Sequence, residues 1–438
     1  MKDTRTYYIE TYGCQMNLAD SELVESLLAG EGLRPVASAS EAQVILVNTC
    51  GVRAHAENRV LSRLGALKKY KQNSPERIIV VLGCMAQRMA NSLFEQAPWV
   101  DMAIGPDNYR MLPGLIRQMV RDHGQKYTAL DFNMEETYED LFPQRSEPWS
   151  AWLPIMRGCN NYCSYCVVPY VRGRERSTPP EVLEEQARRF VAEGVKEIVL
   201  LGQNVNSYRH WDTDFAALLR RFEKIDGLRW IRFLTSHPRD LSDEIIQAMA
   251  DCSKICEHLH LPVQSGSDKI LSLMNRGYSR SYYLDRVGCL REKIPGLALT
   301  TDILVGFPGE TERDYGETVS LMKEVRFDYA YTFKYSSRPG TAAAKLDDLL
   351  PEDEKQRRLD GVINIQRMHT RTALNSLQGR EMEVLLTIPA KSGDGKFTGK
   401  TRTHFNIIVP ADRSLLGKIM RVRVTGNTGM NLLGEAAY

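Results

Sequence analysis

Three apolar segments, each running through a small turn onto a cysteine, set the tightest limit on how this chain folds. They read YYIETYGC to Cys14, AQVILVNTC to Cys50 and RIIVVLGC to Cys84. Each reads as a strand. Helical stretches follow the first two. In the first, Asp20 or Ser21 is the expected cap, Leu23, Val24, Leu27 and Leu28 form one face, and Gly30 and Gly32 close it. Such alternation predicts a mostly parallel, doubly wound sheet whose strands end at one edge. Cysteines more than thirty residues apart are thus expected at one spot. Buried core thiols would sit inside strands, whereas these follow Gly13, Thr49 and Gly83. The placement points to a metal site with three thiol ligands.

The middle of the chain alternates again. Strands are expected at 153–156, 197–202, 230–234, 258–263, 298–307 and 329–335. One intervening helix is expected after Pro179 and Pro180, capped by Ser177 or Thr178, with Leu183, Ala187, Phe190 and Val191 as its stripe. Six such units predict a partial (β/α)6 barrel of the TIM type, with its site at the C-terminal mouth. Residues 126–150 are acidic and carry Pro143 and Pro148, so they read as a linker. The expected organisation is α/β: an N-terminal doubly wound parallel-sheet domain over 1–125, the linker, the barrel over 151–374, and a last module over 375–438. That module has short strands and glycine turns, which predict a small antiparallel β-barrel.

The net charge of +2 is too small to argue for nucleic acid by itself. From Asn375 onward, however, nine Lys and Arg (Arg380, Lys391, Lys396, Lys400, Arg402, Arg413, Lys418, Arg421, Arg423) face five acids (Glu381, Glu383, Asp394, Asp412, Glu435). Basic β-barrels of this size suit RNA. No apolar run approaches the roughly 18 residues of a membrane span, and Met1 to Ile9 has no signal-peptide core, so a soluble cytoplasmic protein without membrane contact is expected. The nine cysteines are an odd number in a large chain lacking an export signal, which favours metal ligation over a disulfide framework.

The densest motif is Cys159-Asn-Asn-Tyr-Cys163-Ser-Tyr-Cys166, after the turn Arg157-Gly158. Three thiolates on one loop can hold three irons of a cubane cluster and leave the fourth open to an outside ligand. A zinc loop borrowing a distant His or Cys is the other reading. Arg172, Arg174 and Arg176 follow the motif at alternate positions, where they could place RNA phosphates. A solvated arginine loop, or salt bridges to the neighbouring acids, is the other reading. Asn17, Asp20 and Arg53 flank the first triad, with Asp20 read as a helix cap. Cys252 and Cys256, expected on a helix, and Cys289 read as core thiols. His258 and His260 read as one strand face.

With Tyr165 before its last cysteine, the run resembles the signature of the radical S-adenosylmethionine enzymes over about residues 151–345. That resemblance implies S-adenosylmethionine on the open iron. It also implies cofactor contacts at Tyr165, Gly202, Gln203, Asn204, Ser236, Gln264 and Asp302, with the turn Gly306-Phe-Pro-Gly309. The whole chain, with its N-terminal triad and terminal basic barrel, resembles the methylthiotransferases. The last module is similar to a TRAM RNA-binding domain. The words Tyr12-Gly-Cys14-Gln-Met-Asn17, Asn48-Thr-Cys50-Gly-Val-Arg53, Gly83-Cys84-Met-Ala-Gln-Arg88 and Val168-Pro-Tyr-Val-Arg-Gly-Arg-Glu-Arg176 resemble the tRNA-modifying branch, although Thr178 stands where that branch often has Arg.

The resemblance implies two 4Fe–4S clusters, a radical-forming one on Cys159, Cys163 and Cys166 and an auxiliary one on Cys14, Cys50 and Cys84. It implies two S-adenosylmethionine molecules, and methylthiolation at carbon 2 of N6-isopentenyladenosine 37 in the tRNA anticodon stem-loop. The implied partners are an electron donor such as flavodoxin or ferredoxin and a sulfur donor or cluster carrier. Nothing demands more than a monomer. Other branches modify a ribosomal-protein aspartate or threonylcarbamoyladenosine. An RNA-binding zinc protein and a two-cluster electron carrier are rivals from other classes.

Overall fold

The computed structural model describes residues 5–51, 54–89, 92–122, 124–145, 147–390 and 395–437. Arg53, Lys391 and Asp394 lie outside them.

Strands β1 (Thr6–Tyr12), β2 (Arg34–Pro35), β3 (Val44–Thr49), β4 (Ile78–Leu82), β5 (Met102–Ile104) and β6 (Tyr127–Ala129) form one sheet in the order β2-β1-β3-β4-β5-β6. Every pairing in it is parallel. The central strands VILVNT and IIVVL are wholly buried, as a sheet covered on both faces requires. Alternate residues serve opposite cores: Leu46 and Val80 meet Leu23, Val24 and Leu28, while Val47 and Val81 meet Val60 and Leu64.

Helix α1 (Gln15–Gly30) starts earlier than the expected cap. Its N-cap is Cys14, in a capping box with Asn17, so neither Asp20 nor Ser21 begins it. The stretch from Gln15 to Ala19 contains no breaker, and the turn at Gly13 sets the start instead.

Residues 126–150, expected as a linker, open with β6, and Tyr138 packs into the sheet's core. Arg110 pairs with both Glu136 and Asp140, so acids of the expected linker tether the segment to the domain.

Six parallel strands form the middle region. Ser150–Pro154, Glu197–Leu201 and Trp230–Leu234 make one sheet; His258–His260, Ala298–Val305 and Tyr329–Lys334 make the other. A parallel bridge between Ile231 and Ile255 links the halves. The fourth strand stops at His260, short of the expected 263, before Pro262 and the left-handed Gln264. The helix Pro180–Ala192 has Pro179 as its N-cap and no side-chain cap. Pro180 has no N–H to satisfy, so Ser177 and Thr178 have less to cap. Cys252 ends the helix Asp243–Asp251, and Cys256 lies beyond it against Trp230 and Leu385, so these two do not share a helix.

The inner wall of the first three barrel strands is covered by its neighbours. Met16 and Ala19 of α1 pack on Val199 and Leu201 beside Trp152 and Leu234. Lower down, Arg232 pairs with Glu197 at 2.5 Å and donates to the carbonyls of Thr401 and Arg402, each at 2.6 Å. His258 meets His404 with ring centroids 4.6 Å apart. Thr401, Arg402 and His404 belong to a closed five-stranded barrel built from Glu381–Pro389, Lys396–Thr401, Asn406–Pro410, Ile419–Asn427 and Leu432–Ala436. One of its pairings, between Asn406–Pro410 and Leu432–Ala436, is parallel, so the barrel is not antiparallel throughout as expected. The last strand closes the barrel against the third, which runs the same way.

Candidate active site at two cysteine triads

Topology alone brings the first triad together. Cys14 caps α1, Cys50 follows β3, and Cys84 opens the short helix Cys84–Met89 after β4. Close backbone approach is what the glycines before the first and third cysteines allow. A Cβ on Gly13 would lie 2.9 Å from that of Cys50, and one on Gly83 2.6 Å from Asn48 Oδ1. Gly83 also has φ +87°, which favours glycine. Beneath them Asn48 donates to the Asn17 carbonyl and to Ser21 Oγ, each at 2.9 Å. Cys14 is exposed, whereas Cys50 and Cys84 are buried. A hydrogen bond with Cys50 holds the Cys14 thiol down at about 6, and burial pushes Cys84 up.

Asp20 is buried in the middle of α1 rather than capping it. Its carboxylate accepts from Arg157 at 3.0 Å, from Arg172 at 2.7 Å and from the Tyr109 hydroxyl at 3.3 Å. Arg172 Nε also donates to Cys84 Sγ at 3.2 Å. Arg176 pairs with buried Asp107 at 2.8 Å. Two of the three arginines expected on RNA are therefore buried ion-pair partners, and only Arg174 is exposed. Their carboxylates lie far away in sequence, which hides the pairing from a local reading.

The second triad is local. Gly158 takes φ +81°, and a Cβ there would sit 2.0 Å from the Arg174 carbonyl oxygen. The loop is pinned by Ser164, which donates to the Leu273 carbonyl at 2.8 Å, and by Asn275, which donates to the Tyr162 carbonyl at 3.0 Å. Cys159 and Cys163 are buried and Cys166 partly so. Burial pushes Cys159 up to about 11 and Cys166 up to about 12. Such sites hold thiolates only with positive charge beside them, which bound irons supply. Buried Arg276 contributes as well, its Nη1 lying 3.3 Å from Cys163 Sγ and 3.5 Å from the Tyr165 hydroxyl. Neither Arg157 nor Arg276 stands out in the sequence. Only the place of Arg157 just before the cysteine loop hints at a role.

The remaining expected cofactor residues ring the barrel mouth, with different duties. Ser236 is buried and its hydroxyl has no hydrogen-bond partner among the described residues. Gln264 takes φ +71°, and its backbone bridges to Asp302 and Leu304. Asp302 lies 3.5 Å from His260 Nε2. Gln203 accepts the Gly158 N–H at 2.5 Å, which ties the second strand's end to the cysteine turn. A Cβ on Gly202 would meet Met156 at 2.6 Å. Asn204 donates to Asp240 at 2.6 Å and accepts the His237 N–H at 3.1 Å, so its amide braces the loop. Tyr165 packs edge-on against Phe307 at 6.4 Å.

Both triads fit an iron–sulfur group. Each offers three free thiols and leaves a fourth iron for an outside ligand. Each triad also has a buried arginine donating to one sulfur, as an anionic cluster favours. The unpartnered Ser236 hydroxyl fits a polar cofactor at the mouth.

Comparison with known proteins agrees with this architecture. The radical SAM superfamily profile matches residues 153–322, and that of the uncharacterized protein family UPF0004 matches residues 6–105. Among solved structures, the radical S-adenosylmethionine methyltransferase TsrM from Kitasatospora setae is similar with a TM-score of 0.58 at 13% identity, over 78% of this chain and 75% of that one. The cobalamin-dependent S-adenosylmethionine radical enzyme OxsB is similar with a TM-score of 0.55 at 12% identity, over 83% of this chain and 56% of that one. These likenesses show a shared fold. Fold and cysteine loop together define a radical SAM enzyme. The tRNA-2-methylthio-N(6)-dimethylallyladenosine synthase of Moorella thermoacetica is 45% identical over 99% of both chains. That of Carboxydothermus hydrogenoformans is 44% identical over 98% of this chain and 99% of its own. The chain belongs to this family of methylthiotransferases.

Proposed function

We propose that this protein methylthiolates carbon 2 of N6-isopentenyladenosine at position 37 of tRNA. The observation that carries the reading is that one carboxylate, Asp20, joins the two cysteine triads: Arg172 touches Cys84, and Arg157 leads into Cys159. A reaction needing a radical and a sulfur source within one cavity asks for such adjacency. When bound, two 4Fe–4S clusters and S-adenosylmethionine supply the C–H abstraction and sulfur chemistry that side-chain acids and bases cannot.

The chain's own residues hold and enclose these groups. Cys159, Cys163 and Cys166 hold one cluster, and Cys14, Cys50 and Cys84 the other. Ser236, Gln264 and Asp302 would offer polar contacts to S-adenosylmethionine at the mouth, and Tyr165 would help to hold it. Met16 and Ala19 keep water from the barrel flank. Exposed Arg380, Lys396, Arg413, Lys418 and Arg421 give the C-terminal barrel its face for RNA phosphates, whereas Arg402 is spent on Glu257 at 2.7 Å. Arg174 adds an exposed guanidinium at the cysteine turn. A basic RNA face argues against the ribosomal-protein branch, and the relatives' names argue against threonylcarbamoyladenosine. No helix among the described residues is long and apolar enough to cross a membrane. We place the enzyme in the cytoplasm as a monomer, reduced by a flavodoxin or ferredoxin and resupplied by a sulfur-carrying protein.

The test is anaerobic. Protein reconstituted with iron and sulfide receives S-adenosylmethionine, a reductant and tRNA bearing isopentenyladenosine, and the digested tRNA is analysed by mass spectrometry. The methylthio nucleoside is expected. Production of 5′-deoxyadenosine with an unchanged nucleoside would remove the tRNA reading and leave the radical one.

A further inference from the structure

We infer that Arg172 is a positioning residue that raises the reduction potential of the auxiliary cluster through Cys84, and that Asp20 partly offsets it. The inference rests on the assignment of a cluster to Cys14, Cys50 and Cys84.

The geometry is specific. Arg172 ends the short helix Val168–Arg172, which follows directly on the barrel cysteine loop. Its side chain crosses to the other domain, where Nε donates to Cys84 Sγ at 3.2 Å and Nη2 donates to Asp20 at 2.7 Å. Both side chains are almost wholly removed from solvent. Nη1 is buried without a hydrogen-bond partner among the described residues, which leaves its two N–H donors spare. Asp20 faces two guanidiniums here, since Arg157 takes its other oxygen at 3.0 Å, and the neighbouring Asp107 is paired with a third, Arg176. The group therefore carries a net positive charge next to the cysteines.

Cluster potentials respond to hydrogen bonds on the sulfurs, net charge and exposure. Reduction adds an electron, so a buried cation and an N–H···S bond stabilise the reduced form more than the oxidised one. Asp20 acts with the opposite sign. A plain docking salt bridge between domains would also use Asp20 and Arg172, but it has no need of the contact to Cys84. It predicts that loss of either partner does the same thing.

That difference is measurable. The full-length chain carrying Cys159→Ala, Cys163→Ala and Cys166→Ala isolates the auxiliary signal. Iron and sulfide are quantified, and the cluster is titrated with reductant under electron paramagnetic resonance. Arg172→Gln is expected to lower the reduced-to-oxidised ratio at fixed potential about tenfold, which is about 59 mV for one electron. Asp20→Asn is expected to raise it, and Arg172→Lys to fall between Arg172→Gln and the parent. Unchanged midpoints at full iron content, or shifts of the same sign in Arg172→Gln and Asp20→Asn, overturn the inference while leaving the cluster in place. If Arg172→Gln fails to hold its cluster, Asp20→Asn decides: a rise supports the inference and no shift overturns it. A parent chain that binds no iron through Cys14, Cys50 and Cys84 removes both the assignment and the inference.

Discussion

Cys14, Cys50 and Cys84 meet only after a parallel sheet has formed, whereas Cys159, Cys163 and Cys166 are neighbours on one loop. Each triad has a buried arginine against one sulfur, but the two guanidiniums are balanced differently. Arg172 has the Asp20 carboxylate. Arg276 has no carboxylate among the described residues, and instead donates to the Pro262 carbonyl at 2.8 Å and the Tyr278 hydroxyl at 3.1 Å. One site thus has its cation partly offset by a carboxylate from its own domain, while the other keeps its cation among neutral groups. The contrast shows that similar cysteine sets can be given different electrostatics by residues outside the motif.

The sharpest way to separate the triads is to remove one at a time. Cys14→Ala and Cys159→Ala should each lose about half the iron and all methylthiolation. Only Cys14→Ala should still form 5′-deoxyadenosine; its absence there would mean the triads do not divide the work as proposed. Thiol labelling of the iron-free protein probes the same contrast. Cys14, held down at about 6 by its hydrogen bond with Cys50, is mostly thiolate at pH 7 and loses reactivity as pH falls through that value. Cys166, pushed up to about 12 by burial, stays a thiol. Iodoacetamide should modify Cys14 at least ~100-fold faster at pH 7, even after discounting the weaker nucleophilicity of the more acidic thiol. Equal rates would mean the two environments are alike.

The domain contact itself should be worth energy. Asp107→Asn strands the buried Arg176 guanidinium and should cost roughly 3–5 kcal/mol in chemical denaturation. A loss under ~1 kcal/mol would show that water reaches the pair. The smallest effect is expected in the C-terminal barrel. Lys396→Ala with Lys418→Ala should weaken tRNA binding a few-fold and lower its salt slope by about 1–2, with iron content unchanged. An unchanged slope would move the RNA face elsewhere.

The placement of the cysteines was legible because it follows from position in a pattern: strand ends for the first triad, spacing for the second. The parallel sheet and the six barrel strands were legible for the same reason, since period and turn residues are local. Asp20 was misread because an acid near a helix start is ordinarily a cap, and only the fold shows Arg157 and Arg172 arriving from the barrel. Arg172 and Arg176 were misread toward RNA because their partners, Asp20 and Asp107, are remote in the chain. Arg276 gave no signal at all: its partners are a thiol, two hydroxyls and a carbonyl, none of which a charge pattern records.

Helix α1 bears on how such proteins can be recombined. Its first turn positions Cys14, its middle offers Asp20 to two barrel arginines, and its flank, through Met16 and Ala19, forms part of the barrel's own interior. A crossover placed between the sheet and the barrel therefore cuts through a shared core. Chimaeras between relatives should inherit α1 together with Trp152, Arg157 and Arg172 from one parent, and those that split the set should be the ones that come out of the cell without their auxiliary iron.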